Sequence, residues 1–275
     1  ALKGGPKKTH FFALPGVPQE MKSIMTNYVL PVLEKALESK VVCKSIRTTG
    51  VPESILQEKI SDIIEKNKDS CDIAFLPHRM LGVDIRLTTS NEKLIKTLVD
   101  SIVGRVQKYV YGYDSDKLEE VVANLMINNK VTIATAESCT AGLLSARLTD
   151  VSGSSQYFNG GVVCYSNELK HDLVDVNQKT LDRYGAVSEE TARELAINIA
   201  KKLKSKIGVS ITGIAGPDGG TEKKPVGLVF VGISYKNNVY IKKYNLTPNR
   251  NINRELTVIL CLNEIRKILE NSKEI

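Results

Sequence analysis

Apolar residues follow two patterns along this chain: short continuous runs, and longer segments in which they recur every three or four positions. The short runs predict strands and include VVCKSIRTTG, VTIATA, GGVVCYS, IGVSITG and PVGLVFVGISY. The longer segments predict amphipathic helices and include VPESILQEKISDIIEKN, NEKLIKTLVDSIVGRVQKYV and SEETARELAINIAKKLKSK. Pro52 and Ser188 suit the starts of two of these helices. A final helix is expected from about Arg250.

These elements divide the chain into three predicted segments. Residues 1–40 contain one apolar run, HFFAL, and one helical segment up to Pro31, which is too little to bury a core. Residues 41–113 read as β-α-β-β-α and predict a small α+β domain. The stretch GYDSD is typical of a linker. Beyond it, residues 114–275 alternate helices with strands and include a late hairpin that turns at Asn237-Asn238, before the final helix. We therefore predict a three-layer α/β domain with a mixed sheet over residues 114–275.

The composition, with 42% hydrophobic and 25% charged residues, is ordinary for a soluble globular protein. No apolar run approaches the roughly 20 residues of a membrane span, so no membrane association is predicted. The five cysteines are widely spaced and form no C-x-x-C pair, which favours free thiols and a cytoplasmic protein. His10 and His78 lie apart without metal-ligand spacing, and we predict neither a metal nor a cofactor.

The net charge of +7 raises the question of a nucleic-acid partner. The excess of lysine and arginine is spread along the chain and is not gathered into a basic arm. A nucleic-acid footprint is normally clustered on one face or helix. Nucleic-acid binding is therefore not expected from the charge.

The stretch VTIATAESCTAGLLSARL places Glu137-Ser138-Cys139-Thr140 between an apolar strand and a helix that opens with small residues. Such a junction directs backbone N–H groups and a helix N-terminus toward one point, which favours an anion. Ser138 or Thr140 would instead cap that helix in the alternative interpretation, which the local pattern favours because serine and threonine are preferred caps. The pattern by itself leaves both interpretations open.

A second candidate is the serine-rich turn DVSGSSQYF, which holds Ser155. A serine on a turn acts as a nucleophile only with an activating base, and Tyr165, Lys170 or His171 in the next segment is available for that role. A plain surface loop is the alternative.

A third candidate is the glycine-rich segment ITGIAGPDGGTEKKPVG, which is long for a loop without secondary structure and permits close approach of backbone to a ligand. It contains neither a Walker sequence nor G-x-G-x-x-G. The fourth is the pair Arg250 and Arg254, one helical turn apart, which suits a phosphate or a solvated face.

Three of these stretches also carry a resemblance to a known family. TAESCTAGLLSARLTDVSGSSQYFNGGVVCYSNELK, GAVSEETARELA and SITGIAGPDGGTEKKPVGLVFV resemble the C-terminal domain of the competence/damage-inducible CinA family over about residues 117–269. The resemblance implies hydrolysis of the carboxamide of nicotinamide mononucleotide to nicotinate mononucleotide and ammonia, in pyridine nucleotide salvage. It also implies a homo-oligomer.

The upstream segments are similar to other parts of the same family. LPGVPQEMKSIM resembles the last motif of its molybdopterin-binding-like N-terminal domain, so residues 1–40 are predicted to be a remnant of that domain. Residues 41–113 resemble its K-homology-like middle domain. That segment lacks the G-x-x-G loop that clamps nucleotides, which further argues against nucleic-acid binding.

Carried over residue by residue, the resemblance implies Ser155 as the nucleophile, with Ser138, Tyr165 and Lys170 as further active-site residues. It places Lys170 near the ribosyl phosphate. The predicted substrate contacts are Thr140, Gly142, Thr212, Gly213, Gly216, Arg250 and Arg254. This chain reads SCTAG where the family has SCTGG, and Ala141 is expected to crowd any ligand that approaches the backbone closely.

Two other functions compete with the amidase. One is a non-catalytic nucleotide-binding module that acts through partners in competence or the DNA damage response, which would bind ligand without releasing ammonia. The other is an ADP-ribose pyrophosphatase, which would require a divalent metal ion and the N-terminal domain that this chain mostly lacks.

Overall fold

The computed structural model describes residues 10–36, 41–78 and 82–271. Its strands are β1 Val42–Thr48, β2 Asp72–His78, β3 Gly82–Thr89, β4 Val110–Tyr113, β5 Ile133–Glu137, β6 Phe158–Val163, β7 Ile207–Gly213, β8 Leu228–Tyr235 and β9 Asn238–Asn245. Its α-helices are α1 Pro18–Ile24, α2 Leu30–Ala36, α3 Glu53–Asn67, α4 Glu92–Val106, α5 Leu118–Asn128, α6 Leu143–Thr149, α7 Asn167–Val174, α8 Gln178–Tyr184, α9 Glu189–Lys202 and α10 Arg250–Asn271.

The N-terminal segment is helical and contains no strand in its described part. The strand predicted for residues 10–14 is wrong, since these residues pair with no other strand. The helix also continues past Pro31, because a π-helical turn, Met25–Val29, precedes the proline and joins α1 to α2. A proline has no backbone N–H and cannot donate a hydrogen bond to the preceding turn. The wider π-helical turn accommodates this missing hydrogen bond.

Residues 42–113 form a four-stranded antiparallel sheet in the order β2-β3-β1-β4. Helices α3 and α4 cover one face, and their apolar side chains meet Ile46, Ile85 and Leu87 of the sheet in a continuous core. The predicted β-α-β-β-α order is confirmed up to α4. Strand β4 was missed, because VYGY is short and follows an amphipathic helix directly. The predicted connection between β2 and β3 includes residues 79–81, which lie outside the described residues.

The C-terminal domain is built on a five-stranded sheet in the order β6-β5-β7-β8-β9. Strands β5, β6 and β7 are parallel, and β8 and β9 are antiparallel to their neighbours. Tyr235 pairs with Asn238, so the β8–β9 hairpin turns at Lys236 and Asn237, one residue earlier than predicted.

Helices cover both faces of this sheet and complete three layers. Helices α5, α6 and α10 pack on one face, while α7, α8 and α9 pack on the other. The predicted Ser188 cap is confirmed: its hydroxyl accepts a hydrogen bond from Thr191 N–H at 3.2 Å. The three-layer α/β prediction with a mixed sheet is therefore confirmed. Among the described residues, no helix combines the length and hydrophobicity needed to span a bilayer.

One buried arginine of α10 connects the two domains. The Arg266 side chain is 2% exposed and donates to the backbone carbonyls of Val110 at 2.9 Å and Lys108 at 3.2 Å. It also donates to Asn263 and forms an ion pair with Glu270 at 2.7 Å. Because the Arg266 guanidinium is buried, these hydrogen bonds are shielded from water. They hold β4 against α10.

We expect Arg266→Met to lower the free energy of unfolding by about 3 kcal/mol, because it leaves buried carbonyls without donors. Urea denaturation of the purified chain measures the change. The control is Lys267→Met, which removes an ion pair between the exposed Lys267 and Glu264 but leaves Glu264 its second partner, Lys242, and should cost less than about 1 kcal/mol. Equal losses in both variants would show that Arg266 contributes no special stability.

Candidate functional site

A pocket of about 250 Å³ opens at the carboxyl edge of the C-terminal sheet. The loops that follow β5, β6 and β7 meet there, which is where open α/β sheets bind ligands. The lining side chains come from the turn after β5, the segment after β6, the long loop after β7 and the start of α10. They include Ser138, Cys139, Tyr165, Lys170, Thr212, Gly213, Gly216, Asp218 and Arg250.

Lys170 lies at the bottom of this pocket and is 1% exposed. Its Nζ lies 3.2 Å from Ser138 Oγ. The same Nζ lies 2.9 Å from the carbonyl oxygen of Cys164, 3.0 Å from that of Tyr165 and 3.3 Å from that of Ser166. In the described part of the chain no carboxylate forms an ion pair with it.

Burial lowers the pKa of the Lys170 ammonium from its ordinary value of 10.5. Desolvation disfavours the charged form, and it outweighs the opposing influence of Cys164, Cys139 and Glu168. A neutral amine has a lone pair that accepts the proton of the Ser138 hydroxyl. The three surrounding carbonyls then stabilise the ammonium that forms. This arrangement is suited to activating Ser138 as a nucleophile.

The neighbouring thiol is a poor rival for that role. Cys139 also lines the pocket, but burial raises the pKa of its thiol to about 11. Burial likewise raises the pKa of the Cys164 thiol. Since the thiolate is the reactive form, both thiols are largely protonated near neutral pH.

Glu137 fixes the turn that presents Ser138. It is the last residue of β5, and since Ala134 and Ala136 face the α9 layer, strand alternation directs Glu137 toward α6. Its buried carboxylate accepts hydrogen bonds from the backbone N–H groups of Gly142 (3.1 Å), Leu144 (3.0 Å) and Ser145 (2.8 Å). The N-terminus of α6 therefore already holds an anion, and that anion is part of the protein.

Three expectations for this turn are accordingly wrong. Neither Ser138 nor Thr140 caps α6, whose N-cap is Gly142 without a side-chain cap. The α6 N-terminus is also not free to bind a substrate anion. Ala141 is exposed and does not line the pocket, so the predicted crowding does not occur. Its φ of 52° lies in the left-handed region, which explains why glycine suits this position.

Helix α10 holds the glycine-rich loop and the nucleophile turn in place. Asn253 is 1% exposed and donates to the carbonyls of Ala215 (2.9 Å) and Thr247 (2.7 Å). Arg254 donates to the carbonyl of Thr140 at 3.0 Å. The buried role of Asn253 was not predicted, because an asparagine in the polar stretch NRNINREL is typical of a surface position.

Arg250 reaches the pocket rim from the start of the same helix. Its guanidinium donates to the carbonyl of Gly216 at 3.1 Å and to the Tyr165 hydroxyl at 3.3 Å. Tyr165 is 55% exposed. Arg250 therefore supplies a solvent-facing positive charge at the mouth of the pocket, opposite the buried Lys170.

Of the predicted site residues, the structure brings together Ser138, Tyr165, Lys170, Thr212, Gly213, Gly216 and Arg250. Three predicted substrate contacts lie outside the pocket lining. Thr140 is fully buried, the Gly142 N–H donates to the Glu137 carboxylate, and Arg254 donates to the Thr140 carbonyl. They shape the site without facing its cavity.

Ser155 is the main correction. It lies in a short 3-10 helix, Ser154–Gln156, that precedes β6, whereas the pocket lies beyond the other end of β6. A six-residue strand is about 20 Å long, so Ser155 and Lys170 are on opposite edges of the sheet. Within this chain Ser155 cannot reach the proposed base. The motif that contains Ser155 did not by itself show how far this serine lies from Lys170.

Comparison with known proteins agrees with this architecture. Residues 115–269 match the CinA C-terminal domain, and residues 43–112 match the damage-inducible protein CinA KH domain. The chain belongs to the CinA family. A CinA-like protein of Cytophaga hutchinsonii is 41% identical over 96% of this chain, and one of Prochlorococcus marinus is 41% identical over 93%. The chain spans 64% and 62% of those two CinA relatives, respectively.

Solved CinA structures match the C-terminal domain. The competence/damage inducible protein CihA of Agrobacterium tumefaciens shares 35% identity with a TM-score of 0.53, covering 56% of this chain and 97% of its own. A CinA superfamily protein of Klebsiella pneumoniae shares 27% identity with a TM-score of 0.54, covering 57% and 99%. The names of these two proteins state no reaction.

We expect Glu137→Gln to lower the free energy of unfolding by about 3 kcal/mol. The amide nitrogen of glutamine would face backbone donors, and at least one buried N–H would lose its acceptor. Chemical denaturation measures the loss. Glu189→Gln, at an exposed i,i+4 pair with Arg193, is the control and should change stability by less than about 0.5 kcal/mol. A similar small change at Glu137 would contradict its anchoring role.

Proposed function

We propose that this CinA chain is a serine-lysine amidase that converts nicotinamide mononucleotide to nicotinate mononucleotide and ammonia. The observation that carries the proposal is the 3.2 Å contact between Ser138 Oγ and the buried Lys170 Nζ. Serine with a desolvated lysine is an established alternative to a histidine-based triad. The nucleophile is therefore assigned to Ser138 in place of Ser155.

The first half of the reaction forms an acyl-enzyme. Lys170 takes the proton of the Ser138 hydroxyl as Oγ attacks the carboxamide carbon, giving a tetrahedral intermediate. The lysine then returns the proton to the departing nitrogen, and the C–N bond breaks to release ammonia. The backbone N–H groups of Cys139 and Thr140 donate to no main-chain carbonyl in the described residues, so they are candidates to stabilise the oxyanion.

The second half regenerates the enzyme. Water attacks the ester carbon while Lys170 accepts one of its protons, and the C–O bond to Ser138 breaks as that proton returns to Oγ. The products are the nicotinate carboxylate and free Ser138. No metal ion takes part in this scheme.

The substrate assignment has support from the charge and shape of the pocket. Arg250 offers a guanidinium at the rim, which suits the single phosphate of a mononucleotide. The backbone of Gly213 and Gly216 permits a ring to approach closely. Lys170, fully buried among carbonyls, is better placed to act as a base than to bind a phosphate, and this revises the role that the resemblance implied.

We expect Ser138→Ala to abolish ammonia release, with a kcat reduced on the order of 10⁴-fold or more, because the nucleophile is gone. Ser155→Ala is the matched control and should keep its kcat. Ammonia release from nicotinamide mononucleotide, with and without a chelator, measures both.

The opposite pattern, activity in Ser138→Ala and none in Ser155→Ala, would return the role to Ser155. Nucleotide binding without ammonia release by the parent chain would favour the non-catalytic module, a possibility consistent with the competence-damage names of relatives. Cleavage of ADP-ribose that stops on addition of a chelator would favour the metal-dependent pyrophosphatase.

We expect kcat/KM to rise with pH through a pKa below 10.5, because only neutral Lys170 accepts a proton and burial lowers its pKa. A pH profile of the parent chain measures this. Lys170→Met keeps the side-chain length without the amine and should lose kcat while still binding substrate. A raised KM with unchanged kcat would make Lys170 a phosphate ligand instead.

A further inference from the structure

A second concavity, of about 460 Å³, lies at the amino edge of the same sheet, opposite the Ser138 pocket. It is bounded by the end of α9, the segment that leads into β7 and the β8–β9 turn. Lys201, Lys204, Lys206 and Lys236 line it, and we call it the lysine cleft. No aspartate or glutamate lines it.

The four lysines of the lysine cleft are not neutralised by the protein. None forms an ion pair within the described residues, although Lys202 beside them pairs with Asp175 at 2.9 Å. Lys201 lies in the last turn of α9, where the helix dipole alone explains a cation. Lys236 lies in a hairpin turn, where no helix dipole accounts for it. Lys206 Nζ does donate to the Lys130 carbonyl at 2.8 Å, and Lys236 Nζ lies 5.5 Å from the centroid of the Tyr235 ring. Neither contact neutralises the charge, and four ammonium groups without a carboxylate partner around one concavity favour the binding of an anion.

Two of these lysines also occupy strained backbone positions. Lys204 has φ 51° and Lys236 has φ 54°, in the left-handed region that favours glycine or asparagine. Lys204 follows the end of α9 and Lys236 is in a two-residue hairpin turn, both places where glycine is common. Both of these left-handed lysines line the cleft. Such strain is characteristic of functional sites.

The remaining lining defines the ligand more closely. Ile197, Ala200 and Val239 add apolar surface to the lining, and Asn237 adds an amide group. A concavity with both cationic and apolar lining matches a molecule that has both phosphate groups and a flat ring. We propose that the lysine cleft binds a nucleotide carrying two or more phosphates, with its phosphates on the lysines and its base on the apolar side chains.

This site is separate from the Ser138 pocket. Strand β7 begins next to Lys206 at the cleft and ends at Gly213 in the pocket. Seven strand residues span about 23 Å, so one bound nucleotide cannot reach both sites. The proposal therefore stands independently of the proposed amidase activity.

The test uses ATP as the probe and isothermal calorimetry at low salt. The parent chain should bind ATP with an affinity that falls as salt increases. The double variant Lys204→Gly/Lys236→Gly should bind at least about tenfold more weakly, because two charged contacts are lost. Its Tm should not fall, since glycine relieves both left-handed positions. A purely structural role for these lysines predicts a lower Tm instead.

Two further variants keep the result specific. Lys179→Gln/Lys243→Gln removes the same charge from exposed positions outside the cleft and should bind ATP like the parent. Arg250→Ala should also retain ATP binding, since that residue belongs to the other pocket. No binding by the parent, equal weakening in both double variants, or loss in Arg250→Ala would overturn the proposal. Displacement of ATP by a single-stranded oligonucleotide that binds more tightly would overturn it as well.

Discussion

The buried carboxylate of Glu137 is the interaction on which the candidate site depends. It ends β5, receives three backbone N–H groups from the start of α6, and so determines the path of the five residues between them. Ser138 is the first residue of that turn. Because the carboxylate satisfies donors that would otherwise be unpaired, the turn is held at the strand end without help from a ligand. The serine is therefore positioned before any substrate arrives.

Helix α10 extends this constraint across the molecule. Its first turns carry Arg250 at the pocket rim and Asn253 under the glycine-rich loop, and its last turns carry Arg266 in the contact with β4. Sixteen helical residues separate Arg250 from Arg266, which is about 24 Å of rigid structure. The KH-like domain and the pocket therefore share one structural support. A displacement of the domain would be transmitted along the helix to the pocket rim.

The two edges of the C-terminal sheet differ in their chemistry. At the carboxyl edge, Lys170 is buried and has no carboxylate ion-pair partner in the described residues, and its burial lowers the pKa of its ammonium. At the amino edge, the lysines of the cleft are exposed to solvent. The same residue type is thus suited to accept a proton at one edge and to attract phosphate at the other. The difference lies in desolvation.

The sequence by itself determined the architecture and most of the pocket. Alternating strands and amphipathic helices predicted the three-layer domain, and the resemblance to the CinA family implied Ser138, Tyr165, Lys170 and Thr212 as site residues. The structure brings them together because residues at the carboxyl ends of neighbouring parallel strands meet at one edge of the sheet. Strand β4 was not predicted, because four residues are too few to show the alternation of apolar and polar positions that identifies a strand.

Only the tertiary structure decided which serine can act. Ser138 follows strand β5 and Ser155 precedes strand β6, but only the packed sheet shows that the buried Lys170 amine lies beside Ser138. The roles of Glu137 and Asn253 were equally hidden, because their partners are backbone groups of other elements. Every residue type offers the same backbone groups, so the residue type of the partner does not reveal such a hydrogen bond in the sequence. Burial of Lys170, which sets its protonation, is likewise a property of the packed layers alone.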